Sequence, residues 1–243
     1  MSILHTKTSI SPPYVDLHIH TTASDGSFSP LQIVKTAENV GLRAIAITDH
    51  DTIEGSLEAL RHQHSTDVEI LSGIEISAGV DSGTMHILGY LIHLDDFSLS
   101  QTLKVVQEAR ANRNIEIVRK LQDLGVDINF DEVSKVSGGG QIGRPHIAQV
   151  LIQKGAVHSI DGAFRKFLKK GRPAYIERYR LMHDEAIQTI SQAGGVPVLA
   201  NHFTLDAKTE GELDRLLADL KQAGLKGVEV YYPAHGPELT AQY

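Results

Sequence analysis

Two histidines one residue apart, His18 and His20, end the apolar run VDLHIH and lead into the polar turn TTASDGS. A strand points successive side chains to opposite faces, so residues two apart share a face, and both imidazoles aim at one point from a strand end. That is a metal-chelating geometry. An isolated H-x-H would more simply be two histidines on a half-exposed strand. Here, however, four later strand-like segments also carry ionisable groups at or near their ends.

Three of these segments are already visible in the local patterns. AIAITDHDT places Asp49 and His50 at a strand end, SGIEIS sets Glu75 in an apolar strand, and MHILGY does the same for His86. A carboxylate between Ile74 and Ile76 suffers desolvation, and a buried charge needs a partner or a metal. Alone, Glu75 would be read equally well as a salt bridge to a neighbouring strand, and His86 as a hydrogen-bonded core histidine. Taken with His18, His20 and His50, they read as a metal cluster. With 13 histidines and no cysteine, the ligands must be imidazole and carboxylate, which suits zinc, manganese or iron.

A chain of 243 residues that is 41% hydrophobic can bury one large core. No apolar run approaches the roughly 18 residues of a membrane span, and the first residues lack a secretory apolar region, so a soluble, cytoplasmic protein with no membrane association is expected. The net charge of −7 argues against a generic nucleic-acid coat. It is also uneven, because residues 103–180 carry 15 Lys and Arg against 8 Asp and Glu. An acidic frame holds cations and a basic lobe can receive phosphates, although a solvated helical surface of mixed charge would give the same counts.

The elements that must position these groups alternate. Strand-like runs cover residues 15–20, 43–48, 68–77, 84–92, 195–202 and 227–232. A helix begins at Ser29-Pro30, a good cap and first-turn pair, and ends at Gly41; others cover GSLEALRHQH and about 211–223. Such βαβ alternation predicts a parallel sheet or barrel with active groups gathered at the C-terminal ends of its strands. Residues 99–175 break the pattern with a long helical segment and a helix-rich stretch containing the glycine run 138–140. They read as an inserted helical substrate lobe, leaving 14–98 and 176–243 as a discontinuous barrel domain.

In the order H-x-H, S-D-G with Asp25, T-D-H, G-I-E and H-I-L-G, these motifs resemble the PHP (polymerase and histidinol phosphatase) family of metal-dependent phosphoesterases. The lobe segment GRPHIA resembles the branch that includes 3′,5′-nucleoside bisphosphate phosphatases and 5′→3′ exoribonucleases. The resemblance implies an α/β fold, a distorted (β/α)7 barrel, with two to three divalent ions, manganese first and zinc, iron or magnesium as alternatives. Carried over, His18 and His20 bind one ion and Glu75 bridges it to a second held by His86, while Asp25 and His50 hold a third. Two ions about 3.5–4 Å apart can lower the pKa of a shared water, so the implied nucleophile is a metal-bound hydroxide. Arg144 and His146 would meet substrate phosphate, which Arg suits by bidentate bonding; a surface ion pair is the plainer role for Arg144.

Two departures from the family pattern matter. Where the family has L-A-H-P, this chain reads VLANHF, so Asn201 takes the histidine position and His202 can serve as the second ion's ligand only if the strand end bulges or has turned into loop. The sequence also stops at PELTAQY, before the final strand whose aspartate and histidine complete the family's first and third sites, so the barrel is expected to lack its last strand and to hold the third ion weakly. His235, in YYPAHGPE, is a candidate to contact substrate or protonate a leaving group. His5, His62, His64, His93, His158 and His183 fit no motif. The expected activity is phosphoester hydrolysis on 3′,5′-bisphosphonucleotides or the 5′ ends of short RNA, with no stable protein partner. The alternatives are a phosphatase for a non-nucleotide ester such as histidinol phosphate, or a degenerate nucleotide- or metal-binding module. The amidohydrolases, which also begin with H-x-H, fit the later motifs poorly.

Overall fold

A computed structural model describes residues 14–80, 85–177, 179–200, 205 and 210–232. The first three strands, β1 (Val15–Ile19), β2 (Ala44–Ile47) and β3 (Glu69–Leu71), form a parallel sheet in that order. The helices between them are α1 (Pro30–Val40) and α2 (Glu54–Leu60). α1 starts where its sequence requires, with Ser29 accepting from the Gln32 amide and Gln32 accepting back from Ser29, and it stops at Gly41 with φ 79°. Val34 and Ala37 on its inner face pack with Ile45 and Ile47 of β2.

The second sheet corrects the expectation of a parallel barrel. It runs β4 (Gly73–Ala78), β5 (Met85–Tyr90), β6 (Val196–Ala200), β7 (Gly227–Val228), with β4–β5 and β5–β6 antiparallel and only β6–β7 parallel. The run 68–77, expected as one strand, is two strands belonging to different sheets. Gly73 makes the break possible, because a Cβ there would lie 2.6 Å from the Ile47 carbonyl oxygen. Among the described residues the two sheets meet at one isolated bridge, His50 to Glu75, so the architecture is a mixed α/β fold and not one continuous seven-stranded ladder. The main core lies on the Ile74, Ile76, Met85 and Ile87 face of the second sheet, under α7 (His183–Gln192) and α8 (Glu210–Ala223).

α7 is an element the sequence reading left out, although Ala186, Ile187 and Ile190 recur at helical spacing and Glu185 accepts from the Met182 amide at 2.9 Å. α3 (Phe97–Asp123) was expected and is 27 residues long. Its first half packs Leu99, Leu103 and Val106 into the main core, and its second half packs Ile117 and Leu121 into another. That second core is completed by α4 (Phe130–Val136), α5 (Arg144–Gln153), α6 (Ile160–Ala163) and the π-helical turn after it.

The glycine run between α4 and α5 touches the first sheet's loops directly. Gln141 donates its amide to the Ala23 carbonyl at 2.9 Å. A Cβ on Gly140 would fall 1.9 Å from the Thr22 carbonyl oxygen, where no flexible side chain can yield. Gly140→Ala should therefore destabilise the protein by about 1–3 kcal/mol through overpacking. Gly211→Ala, on α8 with nothing near its Cβ, should cost nothing. Thermal melts of the two variants side by side check both expectations.

Candidate metal centre

Glu75 is the point on which the site converges. It sits in β4 between Ile74 and Ile76, which enter the core, so its own side chain faces the opposite side, yet its carboxylate is only 1% exposed. Oε2 lies 2.9 Å from His20 Nε2, 3.1 Å from His50 Nδ1 and 3.4 Å from His18 Nε2, and Oε1 lies 2.8 Å from His86 Nδ1. These residues come from β1 and the residue just after it, the segment three residues beyond β2, and β5. His18 and His20 do share a face, with their Nε2 atoms 3.2 Å apart.

Asp25 joins from the polar turn after β1. Its Oδ1 lies 3.0 Å from His20 Nδ1 and its Oδ2 lies 3.9 Å from His50 Nε2. The turn is held by Asp49, which is 1% exposed and accepts from the Thr21 amide at 2.7 Å, the Thr21 hydroxyl at 2.7 Å and the Ser24 hydroxyl at 2.5 Å. Gly26 lets the turn fold back, since a Cβ there would lie 2.2 Å from the His20 carbonyl oxygen. Asp49 is thus a scaffold for Asp25, while its neighbour Asp51, fully buried at φ 52°, accepts from the Ser77 amide and from Arg110.

The ligand atoms gather in three sets, each within 4.8 Å: His18, His20 and Glu75; His20, Asp25 and His50; and His50, Glu75 and His86. His50 therefore reaches the Glu75–His86 pair as well as Asp25, a placement broader than the family pattern implied. A divalent cation fits these donors. Both Glu75 oxygens, His50 Nδ1 and His86 Nδ1 are buried without a directed hydrogen bond despite their short separations. Buried polar atoms left so are costly, and a cation among them removes the cost.

Around this cluster a cavity of about 160 Å³ opens beside Asp25, His50 and His86. Arg110, Arg113, Arg144 and Arg180 also line it. Arg144, from the first turn of α5, donates to the Leu168 carbonyl at 3.2 Å and lies 5.3 Å from the centre of the Phe164 ring. Its burial, and then the charges of Arg180 and Arg110, lower its pKa. His146 does not line the cavity; it is 5% exposed, and its Nδ1 accepts from the Gly143 amide at 3.0 Å. His202, Asn201 and His235 lie outside the described residues.

The sequence reading missed Arg110, Arg113 and Arg180, which look like ordinary helix and loop charges, and Glu229, whose Oε1 lies 2.7 Å from His18 Nδ1. The only local hint was the excess of basic residues over this segment.

With this geometry in view, the comparisons give the class. The PHP domain family matches residues 16–243, and the chain belongs to that family. A 5′-3′ exoribonuclease from Haemophilus influenzae is 32% identical over 88% of this chain and 78% of its own length. A 3′,5′-nucleoside bisphosphate phosphatase from Chromobacterium violaceum is 31% identical over 91% of this chain and 78% of its own. Among solved structures, an amidohydrolase from Chromobacterium violaceum with bound sulfate and no metal superposes with a TM-score of 0.87 at 30% identity, covering 94% of this chain and 80% of that one. No helix among the described residues is long and apolar enough to cross a membrane.

Without metal, the imidazoles of His18, His20 and His50 titrate far from their ordinary 6.5. Burial opposes protonation of His18, but its bond to Glu229 and the close Glu75 carboxylate outweigh it and raise the pKa to about 9. At His20 the bond to Asp25 and the close Glu75 carboxylate likewise outweigh burial and raise it to about 10. Burial wins at His50, which falls to about 4. Raised folded-state values stabilise fully below 6.5 and lose that contribution as pH climbs through 9 and 10; the lowered value of His50 acts oppositely, its contribution fading as pH falls from 6.5 through 4. Chelator-treated protein should accordingly melt highest near neutral pH and lose melting temperature steadily towards pH 10. A melting temperature that stays flat or rises over that alkaline interval would contradict this account.

Proposed function

We propose that this PHP-family hydrolase is a metal-dependent phosphoesterase acting on nucleotides, removing a phosphate from 3′,5′-bisphosphonucleotides or releasing nucleotides from the 5′ ends of short RNA. The observation that carries the reading is the juxtaposition of an imidazole–carboxylate cluster with a cavity walled by four arginines. His18, His20 and Glu75 would hold one divalent ion, and Glu75 and His86 a second with His202 as the further candidate. Asp25 and His50 would hold a third, with His20 within reach of it. Such ions supply Lewis acidity and a water of lowered pKa when bound.

The remaining chemistry belongs to the arginines. A single phosphoester needs charge neutralisation at one place, whereas this cavity adds four arginines to the donor groups Asp25, His50 and His86. This favours a substrate with a second phosphate over a simple phosphomonoester such as histidinol phosphate. It also favours phosphoester over amide hydrolysis, since an anionic phosphate gains from a cationic lining and a neutral amide does not. Both curated relatives described above act on nucleotides or RNA by name. Residues 99–175 are proposed as the substrate lobe, because Arg110, Arg113 and Arg144 all come from them.

Phosphate release measured on bisphosphonucleotides, sugar phosphates and short 5′-phosphorylated RNA, with and without added Mn2+, tests the reading. Metal-stimulated turnover of the nucleotide substrates supports it, and tight nucleotide binding with no turnover would indicate a non-catalytic module. Arg144→Ala should lower kcat/KM for bisphosphorylated substrates by about 1.5–3 kcal/mol, the range for a charge-assisted hydrogen bond, while p-nitrophenyl phosphate suffers much less. Equal losses on both would assign Arg144 a structural role. Chelation at neutral pH should also lower the melting temperature, since the ions bind the folded chain in preference to the unfolded one.

A further inference from the structure

We propose that Glu229 is a positioning residue of the metal centre, the acceptor that fixes which nitrogen of His18 is available to an ion. The inference rests on the metal reading given above. His18 uses its two ring nitrogens in different directions: Nδ1 is 2.7 Å from Glu229 Oε1, while Nε2 is 3.2 Å from His20 Nε2 and 3.4 Å from Glu75 Oε2. A neutral imidazole carries one N–H and one lone pair, and a carboxylate facing Nδ1 demands the N–H there. The lone pair is then left on Nε2, the nitrogen that faces His20 and Glu75.

An incidental surface ion pair would be exposed and screened. This contact is neither, because the two side chains are only 11% and 9% exposed. Nor does Glu229 face solvent from a free loop. Its amide donates to the Leu199 carbonyl at 2.8 Å, extending the parallel pairing of β7 with β6 by one residue. The main chain of the second sheet thus delivers a carboxylate to a histidine on the first sheet. Glu229 itself belongs to none of the three donor sets found among the described residues. A carboxylate that holds the far nitrogen of a ligating histidine typically accounts for about 10- to 100-fold in metal affinity.

The experiment uses Zn2+, which is diamagnetic, in competition with a chromophoric chelator, together with ¹⁵N-histidine NMR of the loaded protein. In the wild type a slowly exchanging Nδ1–H proton of His18 is expected at low field. Glu229→Met should weaken zinc binding by about 10- to 100-fold and abolish that resonance. Glu229→Gln, nearly isosteric and still an acceptor, should keep the resonance but move it upfield, with a loss of only about three- to tenfold because the acceptor is no longer charged. Should the methionine variant fail to fold by circular dichroism, the glutamine variant decides the matter: an unmoved resonance and unchanged affinity overturn the proposal. Wild-type protein that binds no zinc would overturn the metal reading as well. Wild-type binding with both variants unaffected would overturn the role of Glu229 alone.

Discussion

The site depends on one buried carboxylate. Burial by itself would raise the pKa of Glu75, but the imidazoles of His50 and His86, followed by those of His18 and His20, hold it well below the ordinary carboxylate range. An ionised group this deep is tolerable only if its surroundings are committed to it. Four histidines from three stretches of chain therefore face it, each within 3.4 Å. The same residue holds the two sheets together, since its amide donates to the Asp49 carbonyl at 3.1 Å and its carbonyl accepts from the Asp51 amide at 2.9 Å. The residue that joins the sheets is thus also the centre of the donor cluster.

His50 is flanked by two buried aspartates that do different work. Asp49 gathers the turn that carries Asp25, and Asp51 accepts from Ser77 of β4 and from Arg110 of α3. Asp51 pays for this with a left-handed backbone, and Gln107 of α3 donates to its carbonyl at 2.9 Å. Through this residue the long helix is tied to the strand that carries Glu75. Buried charge pairs of this kind add little net stability against an apolar alternative. Their value here is register, because Arg110 both pairs with Asp51 and lines the cavity.

The uneven charge of the sequence acquires a location in the fold. The acidic frame supplies Glu75 and Asp25 to the donor cluster, and the basic segment supplies Arg110, Arg113, Arg144 and Arg180 to the adjoining cavity. Groups of opposite charge then lie side by side, each lowering the cost of burying the other.

The sequence by itself determined which local segments carry ligand-type groups. His18, His20, His50, Glu75 and His86 were legible because period-two alternation and strand-end turns are local properties, whereas Asp25 stood out only through the resemblance to the PHP family. Only the tertiary structure decided how those segments pair. Buried strands read as apolar runs whether their neighbours are parallel or antiparallel, so the antiparallel β4–β5–β6 order and the break at Ser72 were invisible. Helix α7 went unread because its three buried apolar residues make a short stripe among polar neighbours. Asp49 was seen at its strand end, but not its role in holding the turn. Glu229 and the arginines were illegible for a stricter reason: nothing in GVEV or in the helical basic residues sets them apart. Their function lies in what they touch, and the contact of Glu229 with His18 closes a separation of 211 residues that no local pattern spans.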